Sequence, residues 1–213
     1  MKVPISLNRK TREARISFVS SPEFGFLEGW RKNLGKIRHP KSVDAMEFAA
    51  LACKRFTAHR SIENYAEKVE DFKAHITNNP RSEVAALVFM ECDWFPESSV
   101  IGVAHFRRSW CNNLILDYLA AHPWIAEKPV KYENEVKGVG TTLLYFVSRI
   151  ASTLECGAMW GEATQNSCEL YKDYFELEET QDLFYIEREK FEKFADTMAK
   201  KIRTSEGEWT LEI

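Results

Sequence analysis

The sequence predicts an α/β (α+β) domain in which a central sheet is flanked by helices and preceded by a mainly helical N-terminal part. Helical periodicity dominates residues 1–80 up to the turn-forming Asn78-Asn79-Pro80. Three strand-like runs follow at Val84–Met90, Val100–Phe106 and Leu114–Ala121, spaced as an antiparallel meander. A glycine turn, Gly138-Val139-Gly140, then opens an amphipathic helix whose stripe is Leu143, Leu144, Val147, Ile150, Ala151 and Leu154.

The remaining elements follow in chain order. Ile16–Val19 reads as one short strand, broken by Ser21-Pro22 and Gly25. Val43–Phe56 is a helix with Met46, Ala49, Ala50 and Cys53 on one side, and a second helix runs from Ser61 to about His75 on Ile62, Tyr65, Ala66, Val69 and Phe72. After the long amphipathic helix, Gly157 is a stop, Ala158–Ala163 is a strand, and Asn166 caps a short helix with Glu169 three residues on. Short strands are expected at Phe175–Leu177 and Leu183–Glu187, then a charged helix over Glu189–Arg203 and a tail at Trp209–Ile213.

A chain of 213 residues suits one hydrophobic core, and 45% apolar with 29% charged residues is the composition of a folded domain. A net charge of −3 with interspersed signs argues against a nucleic-acid partner, because such partners select broad basic surfaces. Cys53, Cys92, Cys111, Cys156 and Cys168 are odd in number and form no C-x-x-C pair, which predicts reduced thiols, no metal centre and a cytoplasmic location. No secretory signal pattern is present, and no apolar run approaches the roughly 20 residues that span a bilayer, so no membrane is expected.

Unpaired amides at a helix N-terminus form the positive end of the helix dipole and are a ready phosphate site. Lys137, Gly138, Val139, Gly140, Thr141 and Thr142 are candidates for it, the glycines for close backbone approach and the threonines for their hydroxyls. The Rossmann pattern fails here because Leu143 stands where its third glycine belongs and the preceding strand ends far upstream. No P-loop sequence is present.

From Val100 to Tyr185 the order of elements resembles the GNAT acetyltransferase superfamily. Leu119-Ala120-Ala121-His122-Pro123 is similar to the end of the family's fourth strand, and Glu135-Val136-Lys137-Gly138-Val139-Gly140 is similar to its [QR]-x-x-G-x-[GA] signature. Glu162–Ser167 and Leu170–Phe175 resemble its asparagine and tyrosine segment. Glu135 departs from the signature's Gln or Arg, and Trp124–Asn134, with Trp124 and Tyr132, is longer than the family's usual link.

The resemblance implies the GNAT acyl-CoA N-acyltransferase fold, a mixed, mostly antiparallel sheet flanked by helices. The chain reads as one domain, 1–213, with a mainly helical part holding acceptor-site elements at 1–80, a sheet core with an acyl-CoA cradle at 81–188, and a C-terminal helix and tail at 189–213; the resemblance covers a little under half of it. The implied activity is transfer of an acetyl or acyl group from acetyl-CoA to a primary amine of a small molecule or peptide, by direct attack in a ternary complex. Leu119, Ala120 and Ala121 would pair with the pantetheine arm, Asn166 would bond its amides, and Tyr171 would protonate the departing thiolate. Period-two alternation puts Asp117 on the face of Leu119 and Ala121, making it one candidate base; Glu162 is the other. His122 shapes the strand end, and Cys168 reads as a packing thiol. A noncatalytic acyl-CoA sensor and a toxin-like enzyme acylating aminoacyl-tRNA are the alternatives, and a homodimer is compatible with either.

Overall fold

The structure is a computed structural model that describes residues 1–21, 24–34, 39–127 and 135–204. Tyr132, Pro22 and the Trp209–Ile213 tail lie outside these residues. The strands are β1 (Lys2–Leu7), β2 (Lys10–Phe18), β3 (Val84–Glu91), β4 (Val100–Arg108), β5 (Leu114–Ala121), β6 (Val136–Lys137), β7 (Ala158–Glu162) and β8 (Leu183–Glu187). The helices are α1 (Phe26–Leu34), α2 (Pro40–Ser61), α3 (Val69–Asn78), α4 (Pro123–Glu127), α5 (Val139–Thr153), α6 (Cys168–Phe175) and α7 (Arg188–Thr204). The strands form one sheet in the order β6-β1-β2-β3-β4-β5-β7-β8, antiparallel throughout except where β5 meets β7. This is the mixed, mostly antiparallel sheet with flanking helices that the sequence predicts.

The sheet divides two apolar layers. Leu143, Leu144, Val147 and Ile150 of α5 pack on one face with Phe175 of α6 and Phe191 of α7. Ala45, Ala49, Ala52 and Phe56 of α2 cover the other face with Trp30 of α1. Gly102 lets α5 come close to β4: a Cβ there would stand 2.7 Å from Val139 Cγ1 and 2.9 Å from Leu143 Cδ1. No helix among the described residues is long and apolar enough to cross a membrane.

Three local expectations are corrected. The N-terminal segment contributes a full hairpin, β1 and β2, where the sequence predicts one short strand. Its turn, Asn8-Arg9, takes positive φ at both residues without a glycine to advertise it. The second helix starts at Val69 instead of Ser61, because Glu63 turns left-handed and Tyr65 bridges to Ala85 of β3, so sheet pairing overrides a helical stripe. Phe175–Leu177 forms no strand; it is the end of α6, closed by a left-handed Glu176.

Candidate functional site

β5 and β7 run parallel only from Leu114↔Met159 to Leu116↔Gly161. Beyond that point β5 continues to Ala121 paired with β4 but without β7, and the sheet opens on that side. The register against β4 shifts between His105 and Phe106, so that His105 faces Tyr118 and Phe106 faces Leu116, leaving Asp117 as the extra residue of a β-bulge. His122 donates its backbone N–H to Ile101 O at 2.9 Å. By antiparallel alternation the backbone groups of Ala120 and Tyr118 also turn toward β4, and those of Leu119 and Ala121 turn outward into the opening.

The same opening receives the N-terminus of α5. Gly138 takes φ +98°, a left-handed conformation that favours glycine, and its carbonyl accepts the first helical bond from Thr142 N at 2.8 Å. The amides of Val139, Gly140 and Thr141 precede that bond and have no partner among the described residues. These amides, the β5 edge and the wall of α6 enclose a cleft of about 800 Å³. It is lined by Leu119, Ala120, Ala121, Lys137, Gly138, Val139, Gly140, Thr141, Thr142 and Asn166, all assigned to the coenzyme from sequence.

The three side chains assigned to acid-base chemistry do not line this cleft. Asp117 points the other way, because the bulge breaks the alternation that would have kept it with Leu119 and Ala121. Its carboxylate, 6% exposed, lies under α2, 3.1 Å from His105 Nδ1, 3.1 Å from Arg107 Nε and 3.4 Å from Arg55 Nη1. Burial alone would raise its pKa, but the His105 bond and the charges of Arg107 and Arg55 outweigh burial and hold it below the ordinary value. Burial also lowers the His105 pKa against the pull of Asp117, so the neutral ring donates Nδ1–H to the carboxylate. A carboxylate held this way is a structural anion and a weak base.

Tyr171 is buried, its ring stacked on Phe184 with centroids 4.0 Å apart, and burial pushes its phenol pKa up. The tyrosine that reaches the cleft is Tyr174, one helical turn later, whose hydroxyl accepts a hydrogen bond from Thr141 Oγ1 at 2.9 Å. That bond ties it to the amide cradle. A spacing of three along a short helix could have flagged it, but both tyrosines sit in one motif-like stretch. Glu162 is exposed at the end of β7.

Asn166 is not the cap of α6; Ser167 occupies that position, its hydroxyl accepting from Thr164 N at 3.0 Å. The Asn166 amide instead donates to Asp44 Oδ2 of α2 at 2.7 Å. Cys168 is half-buried and donates its thiol to Gln165 O. His122, enclosed by Trp30 and Phe95, accepts from Trp124 N at 3.2 Å, and burial drives its pKa down to about 3. Among the described residues no group of three His, Cys, Asp or Glu side chains is placed to hold a metal ion.

No family model and no curated protein sequence matches this chain. Among solved structures it is similar to nourseothricin acetyltransferase, with 19% identity and a TM-score of 0.32, covering 42% of this chain and 46% of that one. The chain thus spans under half the length of that enzyme. It is also similar to a proposed acetyltransferase of the GNAT family from Desulfovibrio desulfuricans, at 11% identity over 82% of this chain and 99% of that one, with a TM-score of 0.49. Tetrahymena GCN5 matches at 10% identity over 81% and 95% of the two chains, with a TM-score of 0.36. These likenesses are remote, and the functional reading rests on the cleft itself.

Proposed function

We propose that this protein is an acyltransferase that moves an acetyl or related acyl group from coenzyme A to a primary amine. One observation carries the reading: the amides of Val139, Gly140 and Thr141 and the backbone edge at Leu119 and Ala121, unpaired among the described residues, line the same cleft. The first set suits a pyrophosphate, by hydrogen bonding and the helix dipole. The second suits an extended arm that carries amides of its own, which would add to the sheet edge as a strand does. A ligand with both parts in that order is acyl-CoA, used here as cosubstrate, without a metal.

The chemistry this supports is direct. The neutral amine attacks the thioester carbonyl carbon while both substrates are bound; a bond forms from nitrogen to carbon, and the electron pair of the C–S bond leaves on sulfur. An outward N–H of β5, that of Leu119 being nearest the bulge, would stabilise the oxygen that gains charge. The proton released by nitrogen passes through solvent and the thiolate is reprotonated, giving an amide and free coenzyme A. Tyr174, bonded to the third residue of α5, stands within about one helical turn of the cradle, so we assign it to a phosphate oxygen instead of the sulfur.

Thermal melts with acetyl-CoA test the binding half: preferential native-state binding predicts a saturable rise in Tm, and no shift at saturation overturns the reading. Release of free thiol from acetyl-CoA across a panel of primary amines tests the transfer half. A second reading, a coenzyme-binding module without turnover, is favoured by the absence of Tyr171, Asp117 and Glu162 from the cleft lining; binding with no thiol release by any amine would establish it.

A further inference from the structure

Among the described residues lining the cleft, Asp44 is the sole carboxylate, set against the lysines Lys41, Lys137 and Lys201. The lysines and free amides match a polyanionic coenzyme. A carboxylate has the opposite sign and would repel that coenzyme, so its place in the cleft calls for a different ligand. No cation among the described residues lies within ion-pairing distance of Asp44; its hydrogen-bond partner among them is the neutral amide of Asn166, 2.7 Å away on the opposite wall. The hydrogen bond orients the carboxylate and leaves its charge uncompensated. Beside it on α2, Ala45 and Phe48 also line the cleft, and Phe48 is tilted against Tyr118 with ring centroids 6.1 Å apart.

Resting on the acyltransferase reading above, we infer that Asp44 is the acceptor-recognition residue: it receives the ammonium group of a cationic primary amine whose apolar body lies against Ala45 and Phe48, and the amine gives a proton to solvent before it attacks. Acceptors of this class are compact amines with an aliphatic or aromatic flank. Neutral acceptors of the same shape are discriminated against, because they offer the half-exposed carboxylate no counter-charge.

The test uses the full chain saturated with coenzyme A and two matched probes, benzylamine as the cation and benzyl alcohol as its uncharged analogue, titrated by calorimetry near neutral pH. Benzylamine is expected to bind roughly 3-fold or more tightly than benzyl alcohol, as an ion pair at a half-exposed carboxylate predicts. Asp44→Asn keeps a side-chain carbonyl for the Asn166 bond and is expected to erase the preference without weakening acetyl-CoA binding, since it removes a charge that repels the coenzyme. Equal binding of the two probes by the parent protein, no binding of benzylamine at millimolar concentration, or a preference that survives in Asp44→Asn would each overturn the assignment. A cation preference that depends on Asp44 in a protein whose melting acetyl-CoA does not shift would support the cation site and sink the coenzyme reading, so the two failures are separable.

Discussion

On the α2 side of β5, Asp117 is bound by His105, Arg107 and Arg55, and Arg107 is in turn paired with Glu83. On the outer edge of the same strand, two and four residues further along, Leu119 and Ala121 have no ionisable side chain at all, and their backbone groups face the cleft. The side chains that look catalytic are spent on holding the bulge, while the capacity to bind a ligand lies in unpaired peptide groups. The bulge links the two, since the extra residue that sends Asp117 under α2 also ends the alignment of β5 with β7 and leaves its far half open.

Breaking the buried side is expected to have the largest effect. Asp117→Ala removes the acceptor of His105 and leaves Arg107 with Glu83 as its remaining carboxylate, and should cost about 3 kcal/mol of folding stability, read from urea unfolding. Loss of turnover at unchanged stability would instead return Asp117 to the role of base. Breaking the open side should cost binding and not folding. Gly140→Asp puts its Cβ only in ordinary contact with Leu119, at 3.7 Å, but directs a negative charge at the cradle; acetyl-CoA affinity should fall roughly 100-fold with a normal melt. If affinity survives, the α5 N-terminus is not the phosphate site.

The buried histidines predict the next effect. The folded-state pKa of His122 lies at about 3, below its ordinary 6.5, so the folded protein refuses a proton that the unfolded chain accepts. Its contribution is complete above pH 6.5 and declines as pH falls toward 3, by about 1.4 kcal/mol per pH unit. His59 and His105, also lowered by burial, add with the same sign, and the depressed carboxyl of Asp117 gives up its contribution only at lower pH. Urea midpoints at pH 7.5, 6.5 and 5.5 should therefore fall, with the steeper step below 6.5; a flat profile would mean that these rings are protonated in the fold.

Smaller differences separate the two tyrosines. Tyr174→Phe removes one hydroxyl from the cradle and should weaken acetyl-CoA binding about 2- to 10-fold, whereas Tyr171→Phe and Glu162→Gln should change affinity and thiol release by less than about twofold. A large loss of turnover in Tyr171→Phe with intact binding would show that the ring leaves its place on Phe184 during the reaction.

The sequence alone determined the elements whose signals are local. The meander from Val84 to Ala121 reads from β-branched runs between turns, and the cradle reads from glycines placed just before a helical stripe, because strand propensity, helix periodicity and left-handed φ all depend on near neighbours. The Leu119–Ala121 edge, by contrast, was expected only from the resemblance in motif order, and no local signal marked it. Only the tertiary structure decided what depends on contact across the chain. The bulge at Asp117 exists through its pairing with His105 and Arg107 on a neighbouring strand and with Arg55 on a helix about sixty residues away, so alternation alone misdirects its side chain. Whether Tyr171 or Tyr174 reaches the cleft is set by Phe184, which takes the first ring, and by Thr141, which bonds the second. Asp44 showed no motif of its own; it became a site residue only when α2 came to lie across from Asn166, a distance that no window along the sequence can contain.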